Sequence, residues 1–241
     1  MSSNTIEQKI QKGQAVTKRL AQDLRMAQSS WAHWEAINGE KETSRQDFRD
    51  AINWLLVSPK GLVGALLRDT LMALSRNVDK IGASSLRAVT KLLKDPALSS
   101  SLIVRARDLP MIGKYEERLI QDKIQFFTDR VPSQWHDKQL PPIPDLHNWR
   151  VQIEKLRNQV LAHSGNSMNP NRIQVNTIRE GFELISPLVE AAHHIFVGSL
   201  LPSTTFTDLI KEANQFWDYG EVGFIQASAN DRPETPGPSR P

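Results

Sequence analysis

The chain has no cysteine in its 241 residues. That excludes a disulfide framework and any thiolate metal site, and it fits a reducing compartment. The 12 glycines are scattered, so no Gly-rich phosphate loop is present, and no Gly-x-Ser-x-Gly elbow occurs. No apolar run approaches a membrane span; the best one, Ala51 to Leu67, is broken by Ser58-Pro59-Lys60. The first residues lack the apolar core of a signal peptide. Lysine and arginine form no block, and aromatics do not alternate with them as in single-strand binders. The formal charge of +3 and pI of about 9.2 are compatible with RNA without demanding it. The expectation is a soluble, cytoplasmic protein.

What the chain does have is helical periodicity almost throughout. Hydrophobic residues make up 39% of it, adequate for a packed core, and charged residues 24%. A long polar helix with a weak apolar stripe is expected over 5–37, and a second over Gln46 to Val57, starting near the cap Ser44. A third begins close to Pro59 and runs to about Ile81, with Val63, Leu67, Leu71, Leu74 and Val78 on one face. Ser84-Ser85 opens a fourth, which ends near Asp95-Pro96. Two more cover 97–109 and 114–130. The stretch 131–144 holds four prolines and must be an extended loop. Further helices are expected from Asp145, over 175–200, and from Thr207 to Trp217. Residues 229–241 hold four prolines and no apolar pattern, and are expected to be disordered. The reading is one all-α domain over 1–228, with its core at about 45–200.

The run Ile153-Glu-Lys-Leu-Arg-Asn-Gln-Val-Leu-Ala-His-Ser-Gly165 points most directly at chemistry. Leu146, Trp149, Ile153, Leu156 and Val160 alternate in steps of three and four, marking one buried stripe. His163 falls next in phase, in the last turn before the stop at Gly165. A permanent cation (Arg157), an amide (Asn158) and an imidazole (His163) suit work on a phosphodiester. Six residues separate Arg157 from His163, which places them about 120° apart with roughly 9 Å of rise. A regular helix does not bring them to one point. An unwound last turn, the long arginine side chain, or a second copy across a dimer would. The same spacing recurs as Arg130 to His136, but Val131-Pro132 breaks that copy. On residue chemistry alone, a catalytic pair and a hydrogen-bonded core histidine both remain open.

Other constellations are weaker. Glu190 and His194 share a helix face at i, i+4, but no third ligand completes a metal site. Arg68, Asp69, Arg76 and Asp79 lie on the third helix. Arg68 and Asp79 share a face, and Arg76 and Asp79 can pair at i, i+3. They read as a solvated face, or as support for the helix carrying Arg157. Trp31, Trp34, Trp54, Trp149 and Trp217 read as packing or interface residues.

The run Leu-Arg-Asn-Gln-Val-Leu-Ala-His resembles the signature of the HEPN superfamily, an Arg followed by a polar residue, then a His late in the same helix. The segment from Leu66-Leu67-Arg68-Asp69 through Ser75-Arg76-Asn77-Val78-Asp79, then Ser84-Ser85-Leu86, resembles the upstream helices of its abortive-infection (AbiU-like) branch. The resemblance covers about residues 45–200; the linker 95–145 and the tail depart from it. It implies a HEPN-like helical bundle, a homodimer with both motifs in a shared cleft, and a metal-independent endoribonuclease of a phage-defence or toxin–antitoxin system. Residue by residue, Arg157 and His163 match the core pair, and Asn158 the polar position. The implied partners are RNA and an antitoxin or nucleotidyltransferase, with no cofactor and no metal. Other members bind RNA or protein without catalysis, which is the alternative reading.

Overall fold

The computed structural model describes residues 3–38, 62–79, 82–107, 113–132, 144–162, 175–199 and 208–219. No strand occurs among them. In chain order the helices are α1 (Ser3–Asn38), α2 (Leu62–Asn77), α3 (Leu86–Leu93), α4 (Pro96–Arg107), α5 (Gly113–Arg130), α6 (Pro144–Ala162) and α7 (Val175–Val197), followed by α8 (208–219). The expected helix at Gln46 to Val57, most of the proline-rich loop, His163 and the tail 229–241 lie outside the described residues.

The weak stripe of α1 is fully used. Ile10, Leu20, Leu24, Ala27 and Trp31 are all buried, chiefly against α2 and then α7. α1 runs antiparallel to α7. Gln14 donates from its side-chain amide to the Phe196 carbonyl (3.1 Å), and Glu35 pairs with Arg179 (2.7 Å) at the other end. α2 buries Leu67, Leu71 and Leu74 in the same core. It stops at Asn77, short of the expected Ile81. The Val78 N–H turns to the Ser75 carbonyl (3.2 Å), a tightened bond that closes the last turn.

The Ser84-Ser85 opening of the next helix is observed, with an altered role for the serine. Ser85 has the extended backbone of an N-cap (φ −136°, ψ 163°), but its hydroxyl donates to the Gly82 carbonyl (3.1 Å). Asp95 caps α4 instead, accepting the Ala97 N–H at 3.0 Å ahead of Pro96. The hydrogen bond from Lys9 is the main reason the Asp95 carboxyl is held below its ordinary value. α4 and α5 pack as a pair, and α5 covers the later part of α7. α6 lies on α2 and α7. α8 sets Ala213 against Ala32 and Ala36 of α1.

One close approach fixes α6 on α7. Gly181 presents bare backbone to the Trp149 ring, and a Cβ there would come within 2.3 Å of Cζ2. The missing side chain lets the indole lie on α7 and donate from Nε1 to the Thr177 carbonyl at 2.6 Å.

Candidate functional site

α6 begins at Pro144, whose fixed φ suits a first helical position. Its stripe is buried as the periodicity predicts: Leu146, Trp149, Ile153 and Leu156 all belong to the main core. The side chain of Val160 lies outside the described residues. The stripe is therefore covered by the chain's own helices, and its apolar residues do not call for a second copy.

The polar edge of α6 is built differently from the sequence expectation. Arg150, one heptad before Arg157, is 1% exposed and donates to Glu154 at 2.7 Å. A guanidinium so deep needs such a partner, because an unpaired buried charge costs several kcal/mol. Glu154 is thus committed to Arg150. Arg157 follows three residues later, half-buried at the margin of the stripe. Its Nε and Nη2 both donate to Oδ1 of Asn158, at 3.3 and 3.2 Å. No carboxylate partner of Arg157 occurs among the described residues. A full positive charge is thus held in place by a neutral amide at the surface, near the helix end.

Arg68, Asp69, Arg76 and Asp79 are spread over different surroundings. Arg68 is half-buried and Asp69 exposed. Arg76 reaches α1, where Nε and Nη2 donate to Oδ1 of Asp23 at 3.1 and 2.8 Å. Asp79 is exposed, beyond the end of α2. The charge of Arg76 therefore ties α2 to α1, not to α6. Of the tryptophans, Trp31 and Trp34 are buried and stacked (4.6 Å), Trp149 is buried and Trp217 half-buried. Trp54 lies outside the described residues.

A second polar constellation was hidden from the sequence. His194 shares no buried face with Glu190, which is exposed. It pairs instead, through Nε2, with Glu116 in the first turn of α5. Both are buried, at 5% and 4% exposure. The His194 Nδ1 is buried with no hydrogen-bond partner. The pair lines a cavity of about 140 Å³ at the C-terminal end of α7, which Arg105 from the last turn of α4 also lines. His193 points elsewhere, its Nδ1 2.9 Å from the Ser199 carbonyl. Glu116 and His194 stand 78 positions apart, so no local spacing could have joined them.

No group of three or more metal-binding side chains occurs among the described residues. No helix among them is long and apolar enough to cross a membrane. Compared with known proteins, the chain matches no family model, no curated sequence and no solved structure.

Proposed function

We propose that the chain is a metal-independent endoribonuclease of HEPN-like type, serving a phage-defence or toxin–antitoxin system. The observation that carries this reading is the Arg157 guanidinium, without a carboxylate partner among the described residues and oriented by Asn158 at the exposed edge of a helix anchored in the core. RNA supplies its own nucleophile. The 2′-hydroxyl attacks the adjacent phosphorus, the new O2′–P bond forms, and the P–O5′ bond breaks. Arg157 binds the phosphate oxygens and offsets the charge that builds on them. Asn158 keeps the guanidinium fork turned toward the substrate. His163 accepts the 2′-hydroxyl proton or donates one to the leaving oxygen, with water serving the other of these two transfers, a contribution of about 10²–10⁴-fold.

The proposal includes a homodimer. With the apolar stripe buried inside each copy, the dimer would form over the polar edge of α6, where each cleft borrows groups from both chains. Two Arg157 side chains would then face one polyanion. Light scattering should give about twice the 27.2 kDa chain mass. An antitoxin or a nucleotidyltransferase is the further partner proposed.

The test incubates purified protein with RNA in excess EDTA. Cleavage should persist, and should disappear in Arg157→Ala and in His163→Ala. Cleavage that stops in EDTA, or that survives in His163→Ala, overturns the mechanism. RNA bound equally by wild type and His163→Ala, with no product from either, would assign the chain to the non-catalytic binding modules of the same type.

A further inference from the structure

The cavity beside Glu116 and His194 has no part in the ribonuclease reading. α6 is anchored on α7 at Thr177, and the helix from Thr177 to His194 is about 25 Å long. We propose that this cavity is a binding site for a small zwitterion, a free α-amino acid with a short aliphatic side chain.

Size comes first. The cavity measures about 140 Å³. Protein cavities of about 150 Å³ hold a molecule the size of benzene. A whole nucleotide would overfill it. A residue with a side chain like that of valine fits.

Charge then narrows the class. Glu116 brings a buried carboxylate to the wall, and the C-terminal end of α7 adds the negative end of its dipole. Both favour a cationic group. Arg105 is exposed and has no ion-pair partner among the described residues. Its planar fork matches a carboxylate. A simple anion would meet the Glu116 charge, and a simple cation would leave Arg105 unused. A purely apolar ligand would strip water from the carboxylate without replacing it. A molecule with an ammonium and a carboxylate on one carbon satisfies both ends. Leu102, Ile120 and Phe196 supply the apolar wall for its side chain. His194 acts as a positioning residue. It pairs with Oε1 of Glu116, and the ammonium would take the other oxygen.

Titration calorimetry on the full chain, with L-valine as the probe, tests this. L-valine should bind saturably. Isovalerate, which lacks the ammonium, and isobutylamine, which lacks the carboxylate, should each bind at least about tenfold more weakly. Arg105→Ala should weaken L-valine by about ten- to a hundredfold, the worth of a charge-assisted contact. It should leave thermal stability and RNA cleavage unchanged, which separates this site from the Arg157 site. Glu116→Gln should weaken binding too; if it does not fold, Arg105→Ala and the two analogues still decide. Absence of saturable L-valine binding up to roughly 10 mM, well above a millimolar Kd, overturns the proposal. So does equal affinity for either analogue, or undiminished affinity in Arg105→Ala.

Discussion

Replacing Gly181 by alanine should destabilise the protein, even though alanine is the better helix former by about 1 kcal/mol. The added Cβ would lie 2.3 Å from Cζ2, 2.7 Å from Cε2 and 2.9 Å from Nε1 of Trp149. Ordinary carbon contacts sit at about 3.5–4.0 Å. The indole would have to retreat by roughly 1 Å, the difference between those distances. It is 1% exposed, and Nε1 is already committed to the Thr177 carbonyl at 2.6 Å. Crowding a packed core costs about 1–3 kcal/mol. Losing the indole hydrogen bond strands a buried donor, for a further 1–3 kcal/mol or so. After the helix gain, a net loss of about 1–5 kcal/mol is expected. Urea denaturation followed by circular dichroism measures it. In a double-mutant cycle, Gly181→Ala should cost less once Trp149→Phe has removed the crowded ring. If Gly181→Ala equals or exceeds the wild type in stability, the contact between α6 and α7 is not the tight seat described.

Arg76→Met should cost about 1–3 kcal/mol, because Asp23 is buried and among the described residues would keep only Arg19, whose Nε is 3.6 Å away. Chemical denaturation checks this, and additive losses in Arg76→Met with Asp23→Asn would show that the two are not coupled. Burial holds His33 below its ordinary 6.5. As pH falls beneath 6.5 the unfolded chain takes up that proton first, so stability declines until the native ring also protonates. His33→Gln should flatten this part of the profile in melts at stepped pH; an unchanged slope would assign it to other groups.

The reach of the sequence follows the reach of its physics. The α6 stripe depends on one helix's periodicity, and Leu146, Trp149, Ile153 and Leu156 are all buried as that periodicity requires. The fourth expected helix opens where Ser84-Ser85 marks it, with Ser85 in the extended backbone of an N-cap although its hydroxyl caps no helix N–H. The end of α2 was harder. The apolar pattern continues to Val78, yet hydrogen bonding stops the helix at Asn77. Charge partners were out of reach. Arg76 had a plausible neighbour at Asp79, but it takes Asp23 from 53 positions away. His194 had one at Glu190, but it takes Glu116. Both choices depend on how helices pack, which no single helix encodes. Arg150 and Glu154 were readable at i, i+4, but the complete burial of Arg150 was not. The pairing of Arg157 with Asn158 came from adjacent residues and was the part of the site most open to inspection.

The antiparallel seating of α1 on α7 also has a consequence in time. Gln14 finds the Phe196 carbonyl 182 positions later, and Glu35 finds Arg179 after 144. A ribosome adding about 5–20 residues per second makes Phe196 roughly 10–40 s after Gln14. During that interval the newborn α1 can pack on α2, α3 and α4, while the flank that α7 covers waits for that partner. The nascent chain would spend its synthesis with an apolar helix flank open to chaperones or to neighbouring chains on the same message. Its final closure would wait for the last helices to leave the exit tunnel.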